Sequence, residues 1–92
     1  KPTIALMGLA FKPDIDDLRE SPALLVADTL LVEEEFTLLL VEPNLQESKK
    51  YVLTDYRQVN RKADLVIYLV AHKEFINLKT EKNVIDFCGI IN

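Results

Sequence analysis

The chain has 92 residues, 49% of them hydrophobic, a formal net charge of -4 and a single cysteine. That is room for one domain with its own core. The acidic balance argues against a nucleic-acid partner, because such proteins carry a basic surplus. Cys88 alone excludes an internal disulfide and suits a reducing, cytoplasmic setting, and no apolar run approaches the ~20 residues that cross a bilayer, so no membrane partner is expected. The opening Lys1-Pro2-Thr3 carries no signal peptide and reads as a cut within a longer chain.

In chain order, Thr3 to Met7 (TIALM) is the first strand-like run and ends at Gly8. A connection from Gly8 to Glu20 follows. Ser21 is then a good N-cap with Pro22 in the first helical position, where a missing N–H is tolerated. Ala23, Val26, Ala27 and Leu30 fall at i, i+3, i+4 and i+7 as one apolar stripe, widened by Leu24, Leu25, Leu31 and Val32. Asp28 and Glu33 to Glu35 take the wet side. A second run, Thr37 to Val41, stops at Glu42-Pro43. A short helical turn fits residues 44–50, a short fifth strand fits 51–55, and a second helix fits 56–62. Leu65 to Val70 (LVIYLV) is the third strong run, a helical turn fits 73–77, and Val84 to Phe87 is the last run. These runs are apolar almost throughout rather than alternating, as strands covered on both faces are. Strand and helix in alternation, joined by right-handed crossovers, predict an α/β fold: a Rossmann-like three-layer sandwich with a mostly parallel sheet, residues 1–92 forming a single domain.

Ligands of such sheets gather outside the carboxyl ends of the strands. The Gly8 to Glu20 connection is about twice the usual ~2–6 residues, and excess loop there is more often functional than idle. It offers Lys12 as a point charge for a phosphate, Phe11 to pack on a base or sugar, Arg19, and the carboxylates Asp14, Asp16, Asp17 and Glu20. The competing reading is a solvated charged loop with Arg19 paired to a neighbouring carboxylate. Dinucleotide binding by this chain is disfavoured: the fingerprint needs G-x-G-x-x-G, and Gly8 and Gly89 are the only glycines. Asp14, Asp16 and Asp17 lack the glycine and distal glutamate of a calcium loop, so no metal is expected. A lone histidine, His72, is more often a hydrogen-bonded structural group than a base, and nothing near Cys88 activates a thiolate. No catalytic residue is assigned. A phospho-receiver module fits poorly, since Asp64 starts its strand instead of ending it.

Residues 8 to 23, GLAFKPDIDDLRESPA, closely resemble the signature that opens the C-terminal domain of the UDP-glucose/GDP-mannose dehydrogenase family, roughly G-x-[AS]-F-K-x-x-x-x-D-x-R-x-S. The matches are Gly8, Ala10, Phe11, Lys12, Asp17, Arg19 and Ser21. Val41-Glu42-Pro43-Asn44 looks like the family's Asp-Pro element, and Ala63-Asp64 before LVIYLV looks like its A-D strand opening. The IDDLRESPA wording, VEPN and the pair His72 and Phe75 look most like the branch that acts on UDP-N-acetyl-D-mannosamine.

The resemblance implies a substrate-binding domain of an NAD-dependent enzyme that oxidises the C6 alcohol of a UDP-sugar to the uronic acid. NAD would be held by a separate N-terminal domain, and the catalytic Cys and Lys by a central helical region. The partners implied are therefore the UDP-sugar, those two domains of the parent, and further copies in a homo-oligomer. The implied substrate contacts are Phe11 and Lys12 on the loop, with Arg19, His72 and Lys73 as further candidates. An isolated domain is expected to be inactive. One departure is Cys88: many relatives read Asp-x-Arg-Gly there, and a thiol cannot donate as a guanidinium does. Weaker phosphate binding, compensation by Lys73 or a different ligand would each follow. A turn change at Glu35-Phe36, where the family tends to have Gly, has no bearing on substrate. The alternative is a Rossmann-like interdomain or oligomerisation module that has lost its own nucleotide affinity.

Overall fold

The computed structural model describes residues 1–14, 17–48, 50–76, 78 and 83–90. Its elements are β1 (Thr3–Met7), α1 (Pro22–Leu31), β2 (Thr37–Val41), a 3-10 turn (Tyr56–Gln58) that runs into α2 (Val59–Lys62), β3 (Leu65–Tyr68), α3 (Lys73–Ile76) and β4 (Asn83–Asp86). The strands form one parallel sheet in the order β2-β1-β3-β4. Thr3 lies opposite Thr37, Ile4 opposite Leu65, and Leu65 opposite Asn83.

Alternation along the strands makes two cores. Leu6 and Leu40, with Ile4, Leu38, Ile67 and Leu69, turn to the face covered by Leu24, Ala27 and Leu30 of α1. Ala5, Met7, Val41, Val66 and Tyr68 turn to the opposite face, under Val59, Ala63 and Phe75. The sheet is thus covered on both sides, which is why its strands are apolar on both sides. This is the expected α/β sandwich, with a sheet that is parallel in every pairing.

Several local expectations change. The buried stripe of α1 is Ala23, Ala27 and Leu30 with Leu24, whereas Val26 and Leu25 are exposed. The two alanines let the helix axis approach the sheet, and this rolls Val26 outward. Residues 44–48 form a turn and a bend without helix, and Lys49 lies outside the described residues. Residues 51–55 form no strand; one parallel bridge, Leu40 to Leu53, ties them to β2. β3 stops at Tyr68, because the next two N–H groups both fold onto the Met7 carbonyl, Leu69 at 3.0 Å and Val70 at 3.3 Å. α3 ends at Ile76, and Asn77 lies outside the described residues. β4 begins and ends one residue before the predicted run.

Candidate functional site

The order β2-β1-β3 sends the chain one way after β1 and the other way after β3, so the crevice at their carboxyl ends is where an α/β sheet takes ligands. In this fold it is closed from within. Gly8 has φ +103°, and a Cβ built on it would lie 2.6 Å from Cβ of Val70. Leu9 and Ala10, the next residues, are fully buried.

The centre is Glu42, one residue beyond β2 and 2% exposed. Its Oε1 accepts the backbone N–H of Leu9 and of Ala10, both at 2.9 Å, and Nε2 of His72 at 2.9 Å. Its Oε2 accepts the N–H of Asn44 at 3.0 Å. Burial alone would raise this carboxyl, but the hydrogen bonds from His72, Leu9 and Asn44 outweigh it and hold Glu42 below the usual glutamate value. His72 is fully buried. Its Nδ1 accepts the backbone N–H of Asp14 at 2.8 Å and lies 3.1 Å from Nδ2 of Asn44. A backbone N–H can only donate, so Nδ1 carries the lone pair and Nε2 carries the proton that it donates to Glu42. Asp14, itself left-handed at φ 63°, accepts the N–H of Lys73 on Oδ1 at 2.7 Å.

The loop signature resolves into mechanical parts. Ser21 caps α1 by accepting the Leu24 N–H at 3.2 Å, and its hydroxyl donates to the Ala10 carbonyl at 3.1 Å. The Phe11 N–H donates to the Asp17 carbonyl at 2.7 Å. Asp17 receives the backbone N–H of Arg19 at 2.9 Å, its Nε at 3.1 Å and its Nη2 at 2.9 Å. The Arg19 guanidinium holds the Asp17 carboxyl down at about 2. Lys12 and Phe11 remain: Phe11 is 51% exposed, and Lys12 is exposed with no ion pair to any described residue. Phe11, Asp17, Arg19 and Glu20 line an open cleft of about 540 Å³.

Of the predicted site residues, the fold places Phe11, Lys12 and Arg19 on one exposed loop, Arg19 in the local ion pair with Asp17. Lys73 is exposed at the start of α3, bonded to the same loop through Asp14. His72 lies beneath them with both ring nitrogens engaged internally. Asp16 lies outside the described residues. Cys88 packs partly buried against the α2–α3 core, in a turn where the N–H groups of Cys88, Gly89 and Ile90 all donate to Oδ1 of Asp86. The residue that sequence reasoning passed over is Glu42. Its signal was an acid between an apolar strand and a proline, with the only histidine at the matching end of another strand.

A four-stranded parallel α/β sheet with an extended, braced loop after its first strand defines the class, a Rossmann-like domain. Residues 5–92 match the UDP binding domain of the UDP-glucose/GDP-mannose dehydrogenase family, and the chain belongs to that family. It is 48% identical to a UDP-N-acetyl-D-mannosamine dehydrogenase of Campylobacter jejuni over 95% of this chain and 23% of that protein. It is 45% identical to a UDP-N-acetyl-D-mannosamine dehydrogenase of Yersinia pestis over 85% of this chain and 20% of that protein. The solved UDP-N-acetyl-mannosamine dehydrogenase Cap5O from S. aureus superposes on all of this chain with a TM-score of 0.84 at 27% identity, covering 23% of its own length. The chain therefore spans about a fifth to a quarter of the length of these relatives.

Proposed function

We propose that this chain is a single domain that holds the UDP moiety of a nucleotide sugar for a larger, NAD-dependent 6-dehydrogenase, with UDP-N-acetylmannosamine as the substrate and the uronic acid as the product. The carrying observation is the division of labour in the loop. Gly8, Ala10 and Ser21 brace it from within and the Asp17 carbonyl ties back to the Phe11 N–H, while the side chains of Phe11 and Lys12 face outward. A cation unpaired among the described residues and an exposed aromatic ring suit a diphosphate and a base. Arg19 can leave Asp17 for a phosphate, since both groups are solvated. The domain acts as a clamp, supplying charge-assisted contacts and position to chemistry carried by other domains.

NAD does not fit this chain. The N–H groups after β1, which a dinucleotide-binding domain offers to the pyrophosphate, donate to Glu42 instead. The cofactor would sit on another domain of the parent, and this chain by itself would be inactive. Synthesis of surface-polysaccharide precursors by a cytoplasmic homo-oligomer is the setting that fits.

One observation favours a second reading. Cys88 turns toward the core at the place where the family resemblance implies a basic residue, so the domain's own affinity would be weak and its contacts to other domains would dominate. An NMR titration with UDP, beside Lys12→Ala, tests the two. The clamp predicts saturable shifts in residues 8–21 of the native chain and binding about tenfold or more weaker in the variant, the loss of one charge-assisted hydrogen bond. No response of the native chain at millimolar UDP would favour the second reading.

A further inference from the structure

A carboxylate deep under a loop is a costly way to fill space, since a buried charge loses several kcal/mol of solvation unless it is fully satisfied. Glu42 is satisfied, and three of its four donors, the N–H groups of Leu9 and Ala10 and Nε2 of His72, lead to the segment that carries Phe11 and Lys12. We infer that Glu42 and His72 are positioning residues for that segment: Glu42 is an internal anion seated on the N–H groups of Leu9, Ala10 and Asn44, and His72 relays it to Asp14. This rests on the nucleotide reading above for its consequence in binding.

The geometry pins a three-residue tip at both ends. On one side Ala10 donates its N–H to Glu42 and its carbonyl accepts from Ser21. On the other, Asp14 donates its N–H to His72 and its carboxylate accepts from the N–H of Lys73. Only Phe11, Lys12 and Pro13 lie between, and proline fixes one more φ. The left-handed φ of Asp14 is a conformation that persists only when its surroundings over-determine it. The two ends are joined by a single hydrogen-bonded path, Ala10 N–H to Glu42 to His72 to Asp14 N–H. A tip ordered before the ligand arrives binds without losing that freedom on binding.

The test is chemical rescue of the 92-residue chain. Glu42→Ala empties the donor set, and formate supplies a free carboxylate to refill it. UDP affinity and the amide signals of Leu9, Ala10, Asp14 and Asn44 are followed together. The expected result is UDP binding weaker by about tenfold or more, on the scale of one hydrogen bond to a charged group, with the Asp14 amide displaced. Formate should restore both and leave the native chain unchanged. A general loss of packing would not respond to formate. Should Glu42→Ala not fold, Glu42→Gln keeps the volume but removes the negative charge and sets its amide hydrogens against the Asn44 N–H, and it should displace the Asp14 amide and weaken UDP binding. Native affinity in a folded Glu42→Ala or Glu42→Gln protein would overturn the inference. If the native chain takes no UDP, the nucleotide reading fails by itself. The inference is then judged on Asp14: an amide that moves with Glu42 and returns with formate supports it, and one indifferent to Glu42 refutes it.

Discussion

Replacing Gly8 by alanine should cost this fold about 2–6 kcal/mol through two separable effects. The first is conformational: φ +103° is a region that residues with a Cβ occupy at about 1–3 kcal/mol. The second is steric: the new Cβ would meet Cβ of Val70 at 2.6 Å and its backbone nitrogen at 3.0 Å. Neither is a flexible side-chain end, and overpacking of this kind costs about 1–3 kcal/mol. A chain of this length has roughly 5–14 kcal/mol of total stability, so the variant should fold but unfold at markedly lower urea. With a slope of about 1–2 kcal/mol per molar for a small domain, the midpoint should fall by about 1 M or more. The chain has no tryptophan, so the transition is followed by far-UV circular dichroism. A cycle with Val70→Gly isolates the side-chain part of the clash, since it removes the 2.6 Å contact and leaves φ and the approach to the Val70 backbone nitrogen untouched. A coupling of about 1–3 kcal/mol is expected. A Gly8→Ala loss under about 1 kcal/mol would refute the close-approach argument, and a coupling near zero would leave backbone strain and the approach to the Val70 nitrogen as the whole effect.

Ser21→Ala removes both the cap on Leu24 and the bond to the Ala10 carbonyl, and should lower stability by about 1–3 kcal/mol; a loss under about 0.5 kcal/mol in urea unfolding would contradict this. Glu42 is held below its ordinary value of 4.5, so its contribution to stability is present above that value and lost as pH falls through the folded-state value. The urea midpoints of the native chain and Glu42→Gln should therefore converge as pH falls below the ordinary value of 4.5, and a constant gap would rule the linkage out. Burial, then the neighbouring Asp86, raises the Cys88 thiol above 9.0. Alkylation by iodoacetamide at mildly alkaline pH should be several-fold slower in the folded chain than in urea, and equal rates would show an accessible, unperturbed thiol.

The layered fold was legible because β1, β2 and β3 are covered on both faces, so TIALM, TLLLV and LVIY had to be largely apolar, whereas β4 leaves Asn83 and Ile85 exposed. The capped helix was legible because Ser21-Pro22 is a local signal. What escaped was set by distance along the chain. Val26 follows the right period, but which flank of a stripe faces the sheet depends on how closely Ala23 and Ala27 let the helix approach. The 51–55 segment has strand-like residues and lies against the open edge of β2, yet only Leu53 bridges to it, at Leu40, because propensity alone does not set how far two segments run side by side. The outward part of the loop, Phe11 and Lys12, could be picked out by residue type. Its internal support could not, since Glu42 looks like any acid before a proline until the fold brings Leu9, Ala10 and His72 around it.

The bonds that join Glu42 to Leu9, Ala10 and His72, and His72 to Asp14, span 30 to 58 positions along the chain. None can form from the loop and its helix alone. A peptide of residues 8–21 has every residue of the signature but neither Glu42 nor His72, and grafting that signature onto a foreign sheet would transfer the charges without that support. During synthesis the same arrangement makes the loop a late arrival. It takes its final form only after β3 has paired with β1 and the chain has passed residue 73, so ordering of this surface reports that three strands of the sheet are already in place.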